Sequence, residues 1–215
     1  MDAKFYAGSQ VIDEVRHVEV LSKFLQRKVG TIYPIDPTLK ILLDMLLEAP
    51  TWKMKTLGMQ TLFEGMAVGI FDTIAKVSSN PLLKDMIRRV QIDESRHAAF
   101  GILSMRQVVR DSSREELEDM EDFAFAIIEA LNANQQLDML RLLGPKYGLD
   151  PDSVVQSTLA LPEWPALNSE IFMHTVVPNL KRLNLITERT EDAYRRIGVV
   201  YGDRFDTKHE LPIAG

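Results

Sequence analysis

The sequence predicts an all-α protein, and three observations carry that prediction. Apolar residues recur at helical spacing along nearly the whole chain. Almost no stretch alternates as a half-buried strand does. Cap-then-proline pairs divide the helical runs at regular places. The 215 residues are 46% hydrophobic and 26% charged, enough to bury a sizeable core in one domain.

The first predicted helix covers 3–28, with Phe5, Tyr6, Val11, Ile12, Val15, Val18, Leu21, Phe24 and Leu25 among polar positions and Gly30 as its stop. Asp36-Pro37 reads as an N-cap followed by proline at the first helical position, and that helix ends near Ala49-Pro50. Thr51 caps a very apolar helix over 51–77. Asn80-Pro81 repeats the cap signal and opens a helix to about 110. Ser112 or Ser113 caps the next, with Glu115 and Glu116 near its positive end, and Gly144-Pro145 ends it after Leu143. Shorter helices follow over 151–160, 166–184 and 188–200, then a polar tail from Gly202. Residues 1–145 thus read as a helical bundle and 146–215 as a C-terminal helical extension packed on the same domain.

Composition narrows the function. Lys plus Arg number 25 and Asp plus Glu 31, a net charge of −6 that argues against a nucleic-acid or membrane-surface partner. With no cysteine, disulfides, zinc-thiolate sites, iron–sulfur clusters and a thiol nucleophile are excluded. No apolar run is long enough to span a bilayer, and the opening MDAKFYAGSQ lacks the pattern of a signal peptide. A soluble, cytoplasmic protein is the expectation.

The informative feature is charge inside apolar helices. Residues 13–17 read Asp-Glu-Val-Arg-His and residues 93–97 read Asp-Glu-Ser-Arg-His. In each copy Glu and His are three apart and share a helix face, so Glu14 with His17 and Glu94 with His97 can each hold one metal ion. Carboxylate plus imidazole suits iron or manganese. The plainer reading is two surface salt-bridge runs, and near-identity of two five-residue copies in apolar helices weighs against it. Glu64 lies alone in LGMQTLFEGMAVGIF, with no other charge from Gly58 to Phe71. A lone interior carboxylate is costly unless protonated, hydrogen-bonded or bound to metal. Gly58, Gly65 and Gly69 flank it and serve close packing or leave room for a substrate.

This constellation resembles the ferritin-like di-iron carboxylate superfamily, whose site takes a Glu from each of two helices and Glu-x-x-His from each of two others. The Asp-Glu-x-Arg-His form is most similar to the oxygen-activating branch: monooxygenase hydroxylases, acyl-carrier-protein desaturases, arylamine N-oxygenases and ribonucleotide reductase small subunits. The resemblance covers about residues 3–110. It implies a ferritin-like bundle holding two iron ions, with manganese or a mixed Mn/Fe pair as alternatives. The implied metal ligands are Glu14, His17, Glu64, Glu94 and His97, with Glu14 and Glu94 bridging. It also implies that Asp93 reaches His17 and Asp13 reaches His97, with Arg16 and Arg96 holding the aspartates ionised; simple intrahelical salt bridges are the other reading. The expected function is a non-haem di-iron oxidase or oxygenase that activates dioxygen to oxidise a small organic or acyl substrate, working as a homodimer with a possible electron-donor protein. Ferritin-type iron or manganese handling, or a non-catalytic ferritin-like subunit, is the alternative.

Four departures shape that expectation. The family places one more Glu on a helix before the first Glu-x-x-His, and Asp2 lies 12 residues before Glu14, about 18 Å along the helix, so it cannot replace it. Truncation, a helix from another chain, or Glu129 swinging in are the explanations, and without one the ion at His17 is short of ligands. Leu21 stands where a reductase subunit carries its radical tyrosine, Ala67 or Val68 where monooxygenases carry a threonine, and Val90 where N-oxygenases carry an extra histidine, so none of these activities is selected. Phe63, Met66, Ala67, Val68, Phe71 and Ala98 line a pocket or are simply core; His174 and His209 are read as non-ligands.

Overall fold

The computed structural model describes residues 2–160 and 172–199, with the side chains of 2, 133–143, 158, 159, 173 and 174 left aside. Among the described residues the protein is an all-helical bundle without strands. Helix α1 (Asp2–Phe24) widens into a π-helical turn over Leu25–Val29 and stops where Gly30, at φ 77°, donates its N–H to Leu25 O. Only a residue at ease with positive φ ends a helix this way.

Side-chain caps start the next helices. Asp36 accepts from Leu39 N–H and opens α2 (Pro37–Glu48). Thr51 accepts from Met54 N–H and opens α3 (Trp52–Thr56). That helix continues through a π-helical stretch, Leu57–Phe63, into α4 (Glu64–Val77). Asn80 caps α5 (Pro81–Asp111) through Leu83 N–H. At α6 (Arg114–Leu143) the cap is Ser113, and Glu116 returns a bond to Ser113 N–H, which closes a reciprocal capping box.

Beyond α6 the chain is less regular. A 3₁₀ turn (Gly144–Tyr147) leads to α7 (Pro151–Leu159); a π turn (Phe172–Val176) leads to α8 (Val177–Arg182); α9 is short (Glu191–Arg196). Of the helix predicted over 166–184, residues 166–171 lie outside the described residues. The helix predicted over 188–200 is only Glu191–Arg196, and the tail from Gly202 lies outside as well.

One apolar core joins these elements. Leu42 and Leu46 of α2, Leu57 and Leu62 of the π stretch, Met105 of α5 and Ile127 and Ile128 of α6 pack with Leu180, Leu185 and Tyr194 from the last third. A Cβ at Gly58 would collide with Leu46, and one at Gly101 would sit 2.6 Å from Gln60 O. Glycine at both points lets α2 and α5 close on the π stretch. Helix α1 stands outside this core and packs on α5, with His17 its only buried residue among the described side chains.

Candidate metal centre

The site forms where α1, α4 and α5 meet. Tyr6 lies against Phe100 and His17 against Asp93, so α1 runs antiparallel to α5. Two copies of Asp-Glu-x-Arg-His on antiparallel helices face each other about an approximate two-fold axis. The i, i+3 spacing turns Glu and His of each copy inward together.

Each histidine meets an aspartate of the other helix through Nε2. His17 Nε2 lies 3.1 Å from Asp93 Oδ2, and His97 Nε2 lies 3.3 Å from Asp13 Oδ2. The contacts cross from one helix to the other. With an aspartate taking the Nε2 proton, Nδ1 is the nitrogen left to bind a cation. Arg16 spans Asp13 at 2.7 Å and Asp93 at 2.9 Å. Arg96 bonds Asp93 and stands 3.7 Å from Asp13. The two aspartates and two arginines thus form a crossed box on one side of the imidazoles.

The glutamates lie on the other side. Glu94 Oε1 is 3.2 Å from His17 Nδ1, and its Oε2 is 3.1 Å from His97 Nδ1. Glu14 Oε2 is 3.5 Å from His17 Nδ1, and its Oε1 is 3.3 Å from His97 Nδ1. Each of these carboxylates therefore offers one oxygen to each histidine. Glu64 Oε2 stands 3.7 Å from His97 Nδ1. Donor atoms of Glu14, Glu64, Glu94 and His97 all fall within 4.8 Å of one another.

Electrostatics favour a cation here. Asp13, Glu14, Glu64, Asp93 and Glu94 crowd around two arginines and two imidazoles. Burial opposes a charged His97, but the carboxylates of Glu14, Glu64 and Glu94 gathered around Nδ1 outweigh it and push its pKa up to about 12. Burial raises the pKa of Glu94, helped by the neighbouring charges of Glu64 and Glu14. The adjoining His97 imidazole holds the Glu14 carboxyl low against burial. Without a metal, protons do the neutralising.

The donors fit a metal ion. Two ligands about 2.1 Å from one octahedral ion, at right angles, are about 3 Å apart, close to the 3.1–3.5 Å separations between the Nδ1 atoms and the oxygens of Glu14 and Glu94. His17 Nδ1 and Glu14 Oε1 are buried without a hydrogen-bond partner. Orphaned polar atoms are costly unless something binds them. The two sides are unequal: the His97 side gathers His97, Glu14, Glu64 and Glu94, whereas the His17 side has only His17, Glu14 and Glu94. Glu129 is exposed, and it is not in this cluster.

Three participants escaped the reading of the sequence. Gln10 donates to Glu64 Oε1 at 2.8 Å, and Gln60 donates to Gln10 Oε1 at 2.9 Å. This fixes Glu64 so that its other oxygen turns to His97. Tyr6 stacks on Phe100 and meets the His97 ring edge-on. Tyr6, Gln10, Asp13, Glu14 and His17 lie on one stripe of α1, and that spacing was the available signal. The π stretch also belongs to the site: Glu64 N–H reaches back five residues to Met59 O, so the wide turn sets the angle at which Glu64 projects. Among the residues named as a pocket, Met66 and Ala98 are buried core, while Phe63, Ala67, Val68 and Phe71 are half-buried. The side chain of His174, and all of His209, lie outside the described residues.

Compared with known proteins, the chain matches no family model, no curated protein and no solved structure. What is established is an all-helical bundle carrying a carboxylate–histidine cluster able to bind metal. No helix among the described residues is long and apolar enough to cross a membrane.

Proposed function

We propose that this protein is a ferritin-like, non-haem di-iron oxidase or oxygenase, acting on a small organic or acyl substrate with dioxygen. One observation carries the reading: Glu14 and Glu94 each present one oxygen to each of two facing imidazole nitrogens. A single ion does not need that doubled arrangement; two adjacent ions do. Manganese, alone or paired with iron, has the same ligand preferences.

When bound, an iron pair supplies the dioxygen chemistry. The chain's own residues supply the rest. Glu14 and Glu94 hold the two positions close together. Asp13 and Asp93 fix the ring orientation of His97 and His17 through Nε2, leaving Nδ1 toward the ions. Gln10 keeps one oxygen of Glu64 occupied, so Glu64 serves the His97 side through the other. Phe63, Ala67 and Phe71 on the Glu64 helix give an apolar wall suited to a substrate without charge.

The test is anaerobic ferrous titration followed by oxygen. An oxygenase binds about two irons per chain, and its oxygen uptake rises with a matching substrate. Iron uptake continuing far beyond two per chain, without substrate dependence, identifies a storage protein instead. Failure to bind iron or manganese rejects both.

A further inference from the structure

The face of α1 turned away from α5 is apolar and open. Phe5, Val11, Ile12, Val15 and Val18 are 62–74% exposed. Single exposed apolar residues are ordinary, but five on one helix face are not. Val11, Val15 and Val18 follow the i, i+4, i+7 spacing of a packing stripe, with Phe5 and Ile12 along its edge. Gly8 lies within the stripe, and a Cβ there would meet nothing within 4 Å.

We propose that this face is the interface between two copies of this chain, packed α1 against α1 in antiparallel fashion about a two-fold axis between Val11 and Ile12. The stripe complements itself in that register. Phe5 faces Val18 of the second copy, Gly8 faces Val15, and Val11 faces Ile12. Glycine opposite valine lets the helices approach closely. At each end Lys4 faces Glu19 of the second copy, whose carboxylate also pairs with Lys23 of its own helix, so opposite charges meet twice across one interface. Parallel packing would instead set Lys4 on Lys4 and Glu19 on Glu19. The two-fold arrangement also closes on itself, using the same patch from both copies. This inference stands on α1's outer face alone and does not depend on what the metal centre does.

Three measurements on the full chain test it. Sedimentation of the 24.4 kDa chain should give twice that mass, and Val15→Asp should give a monomer with unchanged helical circular dichroism. Lys4→Glu alone and Glu19→Lys alone each place like charges at both ends and should weaken the dimer roughly tenfold. Mixing these two variants restores both opposite-charge pairs, so a heterodimer about as tight as the unaltered dimer is expected. Within one helix the two positions are about 22 Å apart, so only contact between copies explains that rescue. The chain has no cysteine, so Phe5→Cys mixed with Val18→Cys should form a disulfide under mild oxidation, whereas Phe5→Cys alone should not. A monomer at 100 µM overturns the proposal. So does a dimer that tolerates Val15→Asp, gains nothing from mixing, or cross-links Phe5→Cys to itself.

Discussion

His17 and His97 occupy equivalent places in their motifs, yet their surroundings differ. His97 Nδ1 faces three glutamates, whereas His17 Nδ1 faces two and is left without a hydrogen bond. The proposed ions should therefore bind in two steps, the tighter at His97. His17→Ala is expected to lower cobalt or ferrous stoichiometry from about two to about one per chain. His97→Ala should reduce it several-fold below two and weaken what remains, because Glu14, Glu64 and Glu94 lose their shared centre. Equal stoichiometry in the two variants would refute the inequality. Protonation gives a second handle. Metal binding must free Nδ1 of His97 and ionise Glu94, both of which hold protons in the metal-free protein. Binding near neutral pH should release about one to two protons, seen as a buffer-dependent calorimetric heat, and affinity should rise with pH. Stability of the metal-free protein should move the other way. The His97 contribution is complete below the ordinary histidine pKa of 6.5 and fades as pH rises toward about 12. Ionising Glu94 costs further stability as pH climbs above the ordinary glutamate value of 4.5. Thermal melts from pH 5 to 9 should show a falling midpoint without metal and a flatter one with it. The acidic and imidazole members of this site were legible because charge is conspicuous in an apolar helix. Gln10 was not, because an uncharged amide among polar helix residues is unremarkable until Glu64 is seen beside it.

At the scale of elements, cap chemistry was the readable part. Asp36, Thr51, Asn80 and Ser113 each accept the backbone N–H three residues on, as their positions ahead of apolar runs predict. The π stretch was invisible, because one extra residue in a helical turn barely disturbs the pattern of a segment that is apolar nearly all round. It has consequences for the site. Leu57–Phe63 shifts the register between α3 and α4, and Glu64 is the first residue after the shift. Deleting Met59 should convert the stretch to ordinary α-helix and turn the preceding segment by about 100° relative to Glu64. Either Glu64 leaves the site or the Leu57 and Leu62 contacts break. The expected result is loss of at least one bound metal together with a lower melting temperature. Met59→Ala, which keeps the residue count at an exposed position, should leave both nearly unchanged. Metal binding unaltered by the deletion would show that the wide turn plays no part in aiming Glu64.

For the whole molecule, packing ties together what the motifs leave apart. The sequence places every charged signature before residue 110 and reads the last third as an extension packed on the same domain. Leu180, Leu185 and Tyr194 are fully buried in the same cluster as Leu42, Met105 and Ile127. Polar ties run alongside. Thr175 Oγ1 donates to Gly65 O at 2.6 Å, directly after the Glu64 ligand position. Arg189 bonds the buried Glu121 at 2.8 Å, and Asn132 donates to Ile197 O. Periodicity placed helices over 166–184 and 188–200 but not what they pack against, because one sequence does not say which distant face covers which. A chain ended after residue 145 would therefore expose apolar surface on α4 and α6 and strip Glu121 of Thr187 and Arg189. Each buried apolar side chain uncovered in the remaining bundle costs about 2 kcal/mol, a large share of the roughly 5–15 kcal/mol net stability of an ordinary domain. The expected outcome is a truncated chain that aggregates or shows no cooperative unfolding transition in urea, and that binds no metal although every candidate ligand is present. A soluble, cooperative and metal-binding 1–145 fragment would show instead that the bundle stands alone and that the last third only rests upon it.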